Sequence, residues 1–119
     1  MKEWHEPWEQ LSDETRDIQR ALVSLVEEIE AVNWYHQRAE ATADDGLRRI
    51  LLHNRDEEIE HACMALEWLR RRMPEWDEEL RTYLFQEGEI TTLEEAGADD
   101  DDGPGPATGL GIGKPKGDG

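Results

Sequence analysis

The stretch His53-Asn54-Arg55-Asp56-Glu57-Glu58-Ile59-Glu60-His61-Ala62-Cys63-Met64-Ala65-Leu66-Glu67-Trp68-Leu69 decides how this chain folds. It holds no Gly or Pro and many good helix formers, so it reads as the middle of a long helix. At about 100° per residue, Leu47, Leu51, Ala65 and Leu69 fall on one stripe. Asn54, Glu58 and His61 fall on the same stripe. A carboxylate and an imidazole thus point where the apolar pattern places the core. Burying such groups alone costs several kcal/mol, so they require a partner, and a metal ion is a strong candidate. Glu58 and His61 stand at i, i+3, the Glu-x-x-His spacing by which one helix gives two ligands to one ion.

The helix is expected from about Asp45 to Arg72. The turn Ala43-Asp44-Asp45-Gly46 precedes it, with Asp44 as its cap. Its end, Arg70-Arg71-Arg72, suits the negative pole of the helix dipole. Upstream, Ser12-Asp13-Glu14 starts an earlier helix that runs to about Glu40. Its seam is Ile18, Leu22, Leu25, Ile29 and Val32, at alternating spacings of four and three, the signature of a bundle. Of three neighbouring acids, Glu27 and Glu30 lie well off that seam, while Glu28 lies at its border and is aimed inward. Pro74 breaks the chain after the second helix. A shorter helix then runs from about Glu75 to Gln86 with Trp76, Leu80, Tyr83 and Leu84 as its stripe, and Gly88 ends it. Near the N-terminus, Pro7 stops any long helix, and Trp4 and Trp8 are close enough to pack on a common surface. His5, His36 and His53 read as surface or packing histidines.

Composition limits the function. The chain has 119 residues, with 13 Lys and Arg against 30 Asp and Glu, a formal net charge of −17. That balance disfavours nucleic acid and anionic membrane as partners and favours cations. Hydrophobic and charged residues each make up 36%, a small core for one chain, and small chains often complete theirs on a second subunit. The single Cys63 leaves no intrachain disulfide framework and fits a reducing cytosol. Neither a leader nor a spanning segment is expected. From about residue 91 to 119 the chain reads as a disordered acidic, Gly- and Pro-rich tail, distinct from a helical domain over 1–90. Leu110 and Ile112 are its exception: two apolar residues at i, i+2 in a Gly-rich terminus could enter a partner's groove side by side.

Two antiparallel helices cannot bury both inner faces alone, and pairing two hairpins gives a four-helix arrangement. Di-iron carboxylate sites in such bundles take one Glu from each of two helices and Glu-x-x-His from each of the other two. This chain offers Glu28 on the first helix and Glu58 with His61 on the second, half of such a site. Hard oxygens with a few nitrogens and no thiolate suit iron or manganese better than structural zinc. A di-iron peroxidase or oxygenase is a competing reading. So is a non-catalytic helical dimerisation module that binds or buffers divalent metal. A haemerythrin-like carrier would want more His ligands than the four histidines present.

The segments Glu27-Glu28-Ile29-Glu30-Ala31-Val32-Asn33-Trp34-Tyr35, His53 to His61, Leu66-Glu67-Trp68-Leu69-Arg70-Arg71 and Arg81-Thr82-Tyr83-Leu84-Phe85 resemble the encapsulated ferritin family over roughly residues 5–95. The resemblance implies an all-α fold: an antiparallel two-helix hairpin plus a short C-terminal helix, completed by dimerisation into a ferritin-like four-helix bundle. It implies a ferroxidase whose di-iron centre, two Fe per dimer, lies between two subunits of a decameric ring of dimers. By position, Glu28, Glu58 and His61 match the iron ligands and Tyr35 a residue near the centre. Glu27 and Glu30, with Trp34 close by, match an outer metal-attracting site, which could take Ca or another divalent ion. Gly109-Leu110-Gly111-Ile112-Gly113 resembles the peptide by which cargo docks inside an encapsulin shell, with Lys114-Pro115 where such peptides often carry Ser-Leu. The implied location is a cytoplasmic encapsulin nanocompartment, where the shell holds the mineral.

Overall fold

In the computed structural model, residues 4–95 are described. They are helical, with no strand among them. The chain divides into two units, Met1–Arg72 and Met73–Gly119. The first contains a 3-10 turn, Trp8–Gln10, followed by α1, Asp13–Ala41, and α2, Asp45–Arg72. These two helices form the antiparallel hairpin. The second unit contains α3, Pro74–Tyr83, and a 3-10 turn, Ile90–Thr92.

Local chemistry sets the helix limits. The Ser12 hydroxyl accepts from the Thr15 amide at 3.1 Å, so one of the four unpaired donors at the start of α1 is satisfied. Asp44 does the same for α2: its Oδ2 accepts from the Leu47 amide at 2.7 Å. The unpaired carbonyls at the end of α1 find a donor in α2. Arg48 Nε donates to the Ala39 carbonyl at 3.0 Å, and its Nη2 donates to the Thr42 carbonyl. One side chain therefore closes the turn and anchors the first helix to the second.

At the N-terminus Trp4 meets Trp8 edge-on, with ring centroids 5.2 Å apart. The Arg16 guanidinium lies 4.0 Å over the Trp8 ring, and its Nη2 donates to the Trp8 carbonyl at 2.7 Å. The expected packing of these two tryptophans is thus on the first turns of α1. At the far end of the hairpin, Arg72 of α2 pairs with Glu14 of α1 at 3.1 Å.

Two expectations need correcting. Ile29 and Leu47, assigned to the inward stripes, are 55% and 45% exposed. Only Ala39, Leu51 and Leu69 are buried among the described residues. Ala39 and Glu28 lie within about 20° of each other on the helical wheel, so α1 turns the Glu28 flank of its seam toward α2 and leaves Ile29 past the edge. One partner helix is too narrow to cover the whole stripe. The third helix is the other correction. It begins on Pro74 itself, whose missing amide proton costs nothing at the first helical position. It ends at Tyr83 rather than Gln86, because Leu84 is extended and Phe85 takes φ 60°. Gly88, at φ 103°, lies beyond the helix in a conformation open to glycine.

Candidate metal centre

Glu28 comes from the middle of α1, and Glu58 and His61 from the middle of α2. Each helix is long, continuous and capped, so these side chains stand on rigid supports. The two helices bring them together: one ligand atom from each of the three lies within 4.8 Å of the other two. His61 Nδ1 is 3.4 Å from Glu58 Oε1 and 3.6 Å from Glu28 Oε1. The carboxylate side chains are about a quarter exposed, at 27% and 25%, and the imidazole is 42% exposed.

Electrostatically the trio is unbalanced. Hydrogen bonding to Glu58 pushes the Glu28 carboxyl above its usual range. Partial burial and the Glu58 charge push the same way, and His61 opposes them. Two carboxylates this close cannot both stay charged cheaply without a cation. The donor set fits one well: two hard oxygens and one imidazole nitrogen, open on one side.

Other expected site residues are distributed around this trio. Glu27 and Glu30 are exposed on α1, one residue before Glu28 and two after it. Trp34 is 52% exposed and lines a shallow surface hollow with Gln37 and Arg38. Tyr35 is half-buried, with the Arg38 guanidinium 5.5 Å from its ring. No hydrogen bond joins Tyr35 to Glu28 among the described residues. Cys63 is exposed and is not among the three converging ligands. His53 is exposed and 3.5 Å from Glu57 one turn later. Leu110 and Ile112 lie outside the described residues.

One contact has no signal in the sequence read one helix at a time. Arg55 Nη1 of α2 lies 3.1 Å from His36 Nδ1 of α1, and Asp56 holds the same guanidinium at 2.9 Å.

Residues 3–87 match the EncFtn-like family model. The chain belongs to the encapsulated ferritin family. A ferritin-like protein of Thermotoga maritima is 62% identical over 93 residues, 78% of this chain and 82% of that protein. An encapsulated ferritin-like protein of Rhodospirillum rubrum is 60% identical over 92 residues, 77% of this chain and 66% of that protein. Among solved structures, the crystal structure of a Nitrosomonas europaea protein is similar, with a TM-score of 0.73 and 55% identity. That match covers 75% of this chain and 98% of the other. As an encapsulated ferritin, the chain carries its converging carboxylates and imidazole on the two helices of a ferritin-like fold, with no helix long and apolar enough to cross a membrane among the described residues.

Proposed function

We propose that this encapsulated ferritin is a ferroxidase, with Fe(II) as its substrate and a centre shared between two copies of the chain. The observation carrying this reading is the convergence of Glu28, Glu58 and His61 within 4.8 Å. One chain offers two carboxylates and one imidazole, too few to fill the shell of even one iron. Two chains offer four carboxylates, whose charge balances two Fe(II) ions, and two imidazoles. The exposed edge of the trio, where the His61 side chain is 42% accessible, is where the second chain would close over the site. Without that chain the ions would keep most of their water.

Chemically, the ligand set favours the oxidised state. Hard carboxylate oxygens stabilise Fe(III) more than Fe(II), which makes loss of an electron easier than in water. Each Fe(II) gives one electron to dioxygen, which takes up protons as it is reduced. A cation between the carboxylates favours the charged form of Glu28, against the hydrogen bond from Glu58 that raises its carboxyl. Glu27 and Glu30 lie at the mouth as an outer acidic site that draws divalent ions inward, Ca among them, and Trp34 borders it. Fe(III) then leaves for storage elsewhere.

The relative's description as encapsulated supports a destination for that iron: the lumen of an encapsulin shell in the cytoplasm. The Gly109–Gly113 segment, with Leu110 and Ile112, would dock there. A decameric ring of dimers is the proposed assembly.

Stopped-flow oxidation of Fe(II) in air tests the activity. Glu58→Ala and His61→Ala should each slow the initial rate by roughly a hundredfold relative to wild type, since each removes a ligand outright. Unchanged initial rates in both variants would refute the reading. Iron binding with no rate gain over buffer in the wild type would instead identify a metal buffer.

A further inference from the structure

Polar contacts cross from α1 to α2 at several levels of the hairpin. Arg48 reaches the carbonyls of Ala39 and Thr42 at the turn. Arg55 meets His36, His61 meets Glu28, and Arg72 meets Glu14 at the open end. The Arg55 rung is the neighbour of the metal trio. Arg55 precedes Glu58 by three residues, about 4.5 Å of helix rise.

Three features set this rung apart. Arg55 is anchored: its Nε and Nη2 both donate to Asp56 Oδ1, at 3.1 and 2.9 Å. That hold orients the flat guanidinium and leaves Nη1 for His36 at 3.1 Å. Guanidinium nitrogens only donate, so His36 Nδ1 accepts and the imidazole proton sits on Nε2. Third, Arg55 is the less exposed partner, with 26% of its side chain accessible against 64% for Asp56.

The hairpin needs such a clamp. With Ala39, Leu51 and Leu69 its only buried residues among those described, apolar packing holds the helix register weakly. A slip of α1 by one turn would move Glu28 about 5.4 Å along the axis and out of reach of His61.

We propose that Asp56, Arg55 and His36 form a positioning device that fixes the register of α1 on α2 beside the trio, and so sets how tightly the metal is held. The proposal rests on the metal-binding reading above. None of the three residues touches the ion; they act through Glu28 and Glu58.

Anaerobic titration with Co(II), followed by its visible absorption and by calorimetry, tests this on the full chain. Variants His36→Ala, His36→Gln and Asp56→Asn are compared with wild type, and Glu58→Ala serves as the ligand control. Loss of one partly exposed hydrogen bond to a charged donor should weaken Co(II) binding by roughly three- to tenfold in His36→Ala. His36→Gln offers an amide oxygen to Arg55 and should restore wild-type affinity. Asp56→Asn, which loosens the anchor, should fall between them. The Fe(II) oxidation rate at saturating iron should match wild type in all three, so the change appears in affinity and not in turnover. Equal affinity in His36→Ala and His36→Gln, whether both weakened or both unchanged, would overturn the positioning role. Co(II) binding that survives Glu58→Ala would instead overturn the metal site itself, so the two failures are distinguishable.

Discussion

Replacing Glu28 with Gln should make the metal-free protein more stable while removing its response to metal. The two charges it separates lie within 4.8 Å. Unit charges at that distance repel by roughly 1 kcal/mol in water and about 3.5 kcal/mol at the effective dielectric near a protein surface. The side chains are about a quarter exposed, so solvent screening puts the relief at the low end. A gain of about 0.5–1 kcal/mol corresponds to a rise of roughly 2–8 °C in thermal midpoint for a domain of this size. The pH dependence has a definite sign. Because the Glu28 carboxyl is held above its usual range, the folded state binds more protons than the unfolded state over the window from the ordinary carboxylate range up to that raised value. Wild-type stability therefore falls as pH rises through the window. The Gln variant lacks this contribution. With metal the order reverses: wild type gains about 2.7 kcal/mol at a hundredfold excess of ion over its Kd, and the variant gains little. Circular-dichroism melts at pH 5 and 7.5, with and without Co(II), measure all of these. A lower midpoint for the metal-free variant, or an undiminished shift on adding metal, would refute the crowded-carboxylate account.

Other expectations follow from single contacts. Arg70 and Arg71 flank the Glu67 carboxylate and hold it down to about 2, so its carboxyl carbon should titrate near 2 by NMR; a midpoint near 4.5 would mean those pairs do not persist. The stability these pairs contribute is present above the ordinary Glu range and lost as pH falls through about 2. Asp44→Ala removes the cap of α2 and should cost about 1 kcal/mol, lowering the thermal midpoint by roughly 4–8 °C; no change in midpoint would count against the cap. Arg16→Ala should release the N-terminal turn, moving the Trp8 indole resonance toward its exposed position, at a cost of roughly 1 kcal/mol. An unmoved resonance would show that Trp4 and Trp8 dock without the guanidinium.

Much of the fold is legible along the chain because helix limits are local. Ser12 and Asp44 cap, Pro74 breaks the chain after α2, and an uninterrupted run of helix formers joins Asp45 to Arg72, each limit set by residues within about a turn of it. The Glu58 and His61 pairing is equally local, since three residues along a helix set two side chains on one face. The same periodicity marks Glu28 as the acid nearest the seam. Membership of the encapsulated ferritin family, too, is carried by continuous segments. What only the tertiary structure decided is orientation. The wheel cannot say which flank of a seam meets its neighbour: α1 turned Glu28 and Ala39 toward α2 and left Ile29 outside, while α2 left Leu47 uncovered. The contact of His36 with Arg55 needs two helices at a particular register. The end of α3 at Tyr83 reflects a backbone choice at Leu84 and Phe85 that apolar spacing does not encode. Periodicity acts within one element and fixes which side chains share a face. The distance between faces depends on how two elements settle against each other, and that sum of packing and repulsion exists only once the chain has folded.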